Sequence, residues 1–303
     1  MTFQHWLTEQ EVVIIDGSMA RLLEEQALEI NHQLWTALAL IEAPEAIFNV
    51  HKRYFDAGAN IAITSSYQAT VKIFSDLGYS EADAISFIKS SVTLAKEARA
   101  ASKSPQTKWI AGSVGPYGAY LSDGSEYTGN YQIADTELYA FHAGRIKALI
   151  EAGADILAIE TIPRLDELQI ILSIIATFDF PVMVSVSLKD TGHMPSGDSL
   201  DAFQRLVEQD KHVVAYGINC VAPKSVTAAI EHLAAHATKP LLAYPNSGAI
   251  FDPISKTWSE DLSTKEIFSV DAKIWHQKGA TLIGGCCCSS DSDIALLTQS
   301  LKG

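Results

Sequence analysis

The cysteines are where this sequence could do chemistry. There are four, and three are consecutive: Cys286-Cys287-Cys288 follows Leu282-Ile283-Gly284-Gly285, while Cys220 ends the run Val213-Val214-Ala215-Tyr216-Gly217-Ile218-Asn219. Adjacent cysteines make poor disulfide partners, because a bridge needs the two Cβ vectors to face each other. Thiolates are soft ligands that favour zinc or iron–sulfur centres over magnesium or calcium. Three protein ligands with a fourth position open is the arrangement of catalytic rather than structural zinc. Cys220, Cys286 and Cys287 are therefore read as a three-thiolate zinc site whose fourth position takes part in a reaction. The competing reading is that they are small buried apolar residues, as free cysteines often are. A clustered pair with a distant partner at a second strand end fits that reading less well.

Such a site needs elements to hold it. Short apolar runs alternate with longer amphipathic segments along the chain. They predict strands over 12–15, 60–64, 109–114, 156–160, 182–186, 213–218, 241–244 and 281–284. Helices are predicted over a stretch that includes 47–55, and over 81–102, 135–152, 165–178, 199–209, 224–237 and 291–301. Near-continuous apolar strands between helices mean a parallel sheet covered on its outer face. Eight such units in 303 residues predict a (β/α)8 TIM barrel, a single domain over 1–303, with a doubly wound sheet as the alternative. No Pro, Gly or Ser linker divides the chain. Two long segments after strands, 115–133 and 245–262, would share one rim of the barrel, where long loops commonly carry function.

The net charge of −14 and pI near 5.0 argue against nucleic acid and anionic membranes as partners and leave small molecules. The first residues do not read as a signal peptide, and no apolar run reaches membrane-spanning length. Four cysteines, three of them adjacent, do not form a disulfide framework, so the expected compartment is the reducing cytoplasm. The sequence carries no signal for oligomeric state.

Barrel enzymes act at the C-terminal ends of their strands. Asp16, Tyr67, Ser113, Glu160, Asn219, Cys220, Tyr244, Asn246, Cys286 and Cys287 all fall at or just past such ends. The sixth and eighth strands flank the seventh, so their axes lie about 10 Å apart. Thiols bonding one metal at about 2.3 Å must therefore lean inward across the mouth.

Six stretches carry a likeness: Asp16-Gly17-Ser18-Met19-Ala20, Ile63-Thr64-Ser65-Ser66-Tyr67-Gln68, Gly112-Ser113-Val114-Gly115-Pro116-Tyr117-Gly118, Gly217-Ile218-Asn219-Cys220, Tyr244-Pro245-Asn246-Ser247-Gly248 and Gly284-Gly285-Cys286-Cys287. In order and spacing they resemble the homocysteine S-methyltransferase family, over essentially the whole chain. The Gly-Ile-Asn-Cys and Gly-Gly-Cys-Cys pair is the most specific. The chain is most similar to the short single-domain branch, which takes its methyl group from S-methylmethionine or S-adenosylmethionine. The resemblance implies a zinc-bearing barrel that methylates homocysteine to methionine, with zinc on Cys220, Cys286 and Cys287. It also implies a substrate site. Asp16 with Gly17, and Glu160, would hold the homocysteine ammonium. Tyr67 and Tyr244 would face the sulfonium, and Asn219 and Asn246 would bond substrate polar groups or orient a ligand.

One departure stands out. The family often continues Gly-Gly-Cys-Cys with Arg-Thr, whereas this chain has Cys288-Ser289. A positive charge is lost beside the site, and Cys288 becomes a competitor to Cys287. Alternation along an extended chain disfavours two adjacent inward side chains, so a bend at Gly284-Gly285 is expected. His142 and His193 are set aside as ligands. Alternatives are a selenocysteine or other thiol acceptor, a zinc hydrolase, which would want His and Asp ligands, and a non-enzymatic thiolate metal or redox protein. With no Gly-x-Gly-x-x-Gly nucleotide fingerprint, S-methylmethionine is the first donor.

Overall fold

The computed structural model describes residues 1–28, 34–246 and 270–303, together with the backbone of 251–252, 257–258 and 265–269. Eight parallel strands form the main sheet: β1 (Val13–Ile14), β2 (Ile61–Ile63), β3 (Trp109–Val114), β4 (Ile156–Ile162), β5 (Val182–Val186), β6 (Val213–Asn219), β7 (Leu241–Tyr244) and β10 (Ala280–Ile283). Their order is β1-β10-β7-β6-β5-β4-β3-β2. A parallel bridge between Ile15 and Ile61 joins the two ends. Two backbone hydrogen bonds support it, Asp16 N to Ile61 O at 2.9 Å and Asn60 N to Ile14 O at 2.7 Å. The sheet is thus a single-domain (β/α)8 barrel.

Period-two alternation sorts the strand residues between two cores. One apolar cluster takes Val13, Ile61, Ala111, Ala158, Met183, Ala215, Leu242 and Leu282, one from every strand, which only a barrel interior permits. Neighbours of opposite parity, such as Ile14, Ile110, Leu157 and Val184, join the larger cluster beneath the helices. Going up the strands, the interior series turns polar at Ser113, Glu160, Ser185, Asn219 and Tyr244, and that is the end the site occupies.

The opposite end is closed by a helix that sequence periodicity did not reveal. Phe3–Thr8 is only six residues long, capped by Thr2, and it buries Phe3, Trp6 and Leu7. These join the interior cluster. Phe3 and Trp6 stack on Trp109, the first residue of β3, at centroid distances of 5.4 and 5.6 Å.

The predicted loop over 115–133 also holds structure: a helix, Tyr117–Leu121, and a 3-10 turn, Ser125–Tyr127. A buried polar chain anchors it. Arg145 donates to the carbonyls of Tyr67 (2.7 Å) and Gly115 (2.6 Å) and lies 2.9 Å from His142 Nδ1. His142 Nε2 is 2.8 Å from Glu167 Oε1, which accepts from Tyr117 N at 2.7 Å, and Tyr131 donates to the other oxygen of that carboxylate. His142 thereby has both ring nitrogens engaged and is not part of the thiol cluster, and His193 is an exposed partner of Asp190. The segment 245–262 falls largely outside the described residues. Within it, Phe251–Asp252 (β8) pairs antiparallel with Thr257–Trp258 (β9). Among the described residues no helix is long and apolar enough to cross a membrane.

Candidate metal centre and substrate cavity

Strands β6 and β10 deliver the sulfurs. Cys220 follows β6 directly and has left-handed backbone, φ +51°. Its N–H is held by Tyr244 O at 3.1 Å. After β10 the chain runs through Gly284 and Gly285, and the turn comes later than expected. Ser289 N donates to Cys286 O at 3.2 Å. This closes a turn over 286–289 with Cys288 in the left-handed region, φ +66°. Neither glycine has positive φ, so the left-handed turn residue is Cys288 and not one of them. They are needed for clearance: a Cβ on Gly284 would sit 2.6 Å from Ile15 Cβ, and one on Gly285 would collide with Ser289 Oγ. The turn is what lets two adjacent cysteines serve one point.

The Sγ atoms of Cys220, Cys286 and Cys287 all lie within 4.8 Å of one another, with Cys220 and Cys287 3.7 Å apart. A tetrahedron of sulfurs about 2.3 Å from a zinc ion has edges of about 3.8 Å, so these donors fit such an ion by spacing and by softness. Cys288 is outside the trio. The sulfurs are electrostatically unequal. Hydrogen bonding among the three thiols holds the Cys220 pKa well below the usual thiol value and pushes those of Cys286 and Cys287 well above it. Tyr127 OH lies 3.4 Å from Cys220 Sγ, so the β3 loop reaches across the mouth to β6.

A cavity of about 220 Å3 opens beside the sulfurs and is lined by Asp16, Gly17, Tyr67, Glu160 and Tyr244 among others. Asp16 Oδ2 accepts from Ile63 N at 2.9 Å. Ser113 donates to Glu160 Oε1, and Tyr244 OH donates to Oε2 at 3.3 Å while lying 2.5 Å from Ser185 Oγ. Burial pushes the Asp16 pKa well up, with the Glu160 charge adding to it. Burial likewise raises Glu160 to about 7. Four carboxylates line the cavity, Asp16, Glu24, Glu126 and Glu160, and among the described residues no Lys, Arg or His does.

Residues 13–301 match the sequence profile of the homocysteine S-methyltransferase family. The chain belongs to that family. It is 43% identical to homocysteine S-methyltransferase YbgG of Bacillus subtilis, covering 99% of this chain and 98% of that one. It is 42% identical to homocysteine S-methyltransferase of Escherichia coli, covering 96% of each. Among solved structures, the metallated form of the homocysteine methyltransferase MmuM from Escherichia coli superposes with a TM-score of 0.88 at 40% identity, covering 97% of this chain and 98% of that one.

Two residues expected to bond substrate polar groups or orient a ligand, Asn219 and Asn246, are outside the described lining of the cavity. Asn219 does not line the cavity. Its Oδ1 accepts from Thr161 N at 2.9 Å and its Nδ2 donates to Thr161 Oγ1 at 2.7 Å. Thr161 needs this hold, because its φ of +60° is unusual for a β-branched residue. It occupies a bulge where β4 advances from Ile159 to Ile162 while β5 advances only from Val184 to Val186. The clamp fixes Glu160 and Cys220, the neighbours of its two members. Asn246 is buried beside β7, its N–H donating to Val221 O at 3.0 Å, and is also outside the described lining.

Ser289 stands where the family often has Thr, and its hydroxyl has a clear task. It donates to Cys286 O at 2.7 Å and accepts from Ser18 N at 3.2 Å, tying the cysteine turn to the β1 loop. A Cβ on Gly17 would reach within 2.8 Å of this same Oγ. The sequence reading places Ser65 and Gln68 in a family-like stretch without giving them a role and does not single out Glu126, yet all three line the cavity. They sit in polar loop sequence, and only the tertiary fold brings them to the site.

Proposed function

We propose that this chain is one homocysteine-binding domain over 1–303, and that it transfers a methyl group from a sulfonium donor, S-methylmethionine in the first instance, to the thiol of homocysteine, giving methionine. The observation that carries this reading is three sulfurs within 4.8 Å of one another beside two buried carboxylates, in a cavity that no basic side chain lines among the described residues. Cys220, Cys286 and Cys287 would hold zinc, which when bound supplies a Lewis acid that keeps a substrate thiol deprotonated at neutral pH. Asp16 and Glu160 bind the homocysteine ammonium. Burial strengthens that attraction, because a carboxylate withdrawn from water gains most from a cation. Ser113, Tyr244 and the Ile63 N–H orient the two carboxylates.

The transfer itself asks little acid–base work of the protein. A sulfur lone pair of homocysteine attacks the methyl carbon, the carbon–sulfonium bond breaks, and its electron pair stays on the leaving sulfur as a neutral thioether. The thiol proton has already gone to solvent. The cavity's contribution is to hold the two sulfurs and the methyl carbon in line, an effect that can supply several kcal/mol. The Tyr67 ring lines the wall where a sulfonium gains from an aromatic face. Free thiols at this spacing suit a reducing compartment such as the cytoplasm.

The test is zinc-loaded protein with homocysteine and, separately, S-methylmethionine, S-adenosylmethionine and methyltetrahydrofolate, with methionine measured by mass. Methionine should form from a sulfonium and not from the folate, whose amine is a poor leaving group. Turnover from the folate alone, or none from either sulfonium at saturating homocysteine, overturns the reading.

A further inference from the structure

Three buried polar atoms in the cavity wall have no partner among the described residues: Ser65 Oγ, Gln68 Oε1 and Glu126 Oε2. Ser65 is 1% exposed and Gln68 8%. Buried acceptors without donors are costly, about 1–3 kcal/mol each, and are uncommon in native folds unless a ligand or water completes them. The Gln68 amide is oriented by its own contact: Nε2 donates to Ala119 O at 2.9 Å, which leaves the carbonyl as the free end. The loop bearing Ala119 and Glu126 packs on itself there, since a Cβ on Gly118 would lie 2.5 Å from Glu126 N. Gln68 and Glu126 are thereby held by one stretch of the β3 loop.

This wall is built apart from the Asp16–Glu160 pair. Asp16 is held by Ile63 N, and Glu160 by Ser113 and Tyr244, whereas Gln68 is held by Ala119 O and Glu126 sits on the 3-10 turn of the β3 loop. One ammonium satisfies the first pair. Homocysteine has no second cation to offer the other wall. The missing occupant must be cationic, because the cavity is lined by carboxylates and, among the described residues, by no basic side chain. It must also carry hydrogen-bond donors, because orphaned acceptors are satisfied only by hydrogen bonds, and an ammonium supplies charge and donors together. A sulfonium centre has none, so its charge alone does not complete this wall.

We propose that Glu126 and Gln68, with Ser65 beside them, form a second ammonium subsite that binds the α-amino group of an amino-acid sulfonium donor and so selects donors that are themselves amino acids. The proposal rests on the methyl-transfer reading above. It makes Glu126 a specificity residue for the donor, as Asp16 and Glu160 are for the acceptor.

Steady-state kinetics on the zinc-loaded protein separate the two walls, using S-methylmethionine and its desamino analogue, dimethylsulfoniobutanoate, as substrate or competing inhibitor. Glu126→Gln should raise the KM for S-methylmethionine about tenfold or more, the scale of a hydrogen bond to a charged group. Its homocysteine KM and zinc content should stay as in the parent. The desamino analogue should not distinguish Glu126→Gln from the parent. Gln68→Met should weaken the same donor term, and Glu160→Gln should do the reverse, raising the homocysteine KM and sparing the donor's. Calorimetric binding of S-methylmethionine without homocysteine gives the same comparison without turnover. An active parent whose Glu126→Gln variant keeps the donor KM, or loses equally for both donors, overturns the subsite and leaves the proposed function standing. A parent that neither turns over nor binds S-methylmethionine overturns both.

Discussion

At the scale of the residue, position within a turn decides which thiol can serve the metal. Cys286 and Cys287 sit at the start of the 286–289 turn and point to one centre with Cys220, while Cys288 occupies the left-handed position that carries the chain away. Replacing Cys220, Cys286 or Cys287 by Ala should therefore abolish zinc binding. Cys288→Ala should retain roughly one zinc per chain, since a three-thiolate catalytic site needs no fourth protein ligand. Metal analysis of the four purified variants checks this, and retention by Cys287→Ala with loss by Cys288→Ala reverses the assignment. The cysteine pattern was legible in the sequence because thiolate chemistry is local to residue type. The route by which adjacent cysteines converge was not. It depends on a φ of +66° at Cys288, a conformation that residue type does not announce.

At the scale of the element, predicted and observed strands agree to within a residue or two, because a strand buried on both faces writes a continuous apolar run. The end of β4 is where the pattern stops being informative. The sequence marks Glu160 as polar at a strand end, but the bulge that aims it comes from pairing with β5 and from the Asn219–Thr161 clamp. Asn219→Ala leaves the buried Thr161 N–H without a partner and frees a strained residue between Glu160 and the rest of β4. Loss of that bond should cost about 1–3 kcal/mol in urea unfolding. Zinc affinity should fall by roughly one to two orders of magnitude, as when an outer support of a metal ligand is removed. A chelator competition that finds parental affinity would reduce Asn219 to a fold residue. The short elements escaped prediction for a different reason. Phe3–Thr8 and Tyr117–Leu121 have too few turns to show a period, and they are fixed by what they pack against.

At the scale of the whole molecule, one buried histidine ties folding stability to pH. His51 is fully buried on the helix Pro44–Asp56, and neither ring nitrogen has a partner among the described residues. Burial lowers its pKa from 6.5 to about 4. Below about pH 6.5 the unfolded chain takes up a proton there that the folded protein refuses until about pH 4. The unfolded state then binds more protons, so this group's contribution falls as pH falls through that window, by about 1.4 kcal/mol per unit and roughly 3 kcal/mol in all. His51→Phe removes the titration. Between about pH 7 and pH 5 the parent should lose roughly 2 kcal/mol more than the variant in urea unfolding, whatever their offset at neutral pH. Parallel pH profiles would show that His51 is protonated within the fold.

The strand order has a consequence for how the protein is made. Cys220 emerges with β6, but Cys286 and Cys287 belong to the segment after β10, and β10 must lodge between β1 and β7 before the three sulfurs meet. A nascent chain that has folded its first six strands offers an incoming ion a single thiol. The complete set exists only once the earliest and latest strands have found each other. Capture of an ion at this site would therefore act as an assembly checkpoint: an ion held by all three sulfurs would certify that the ring of strands has closed.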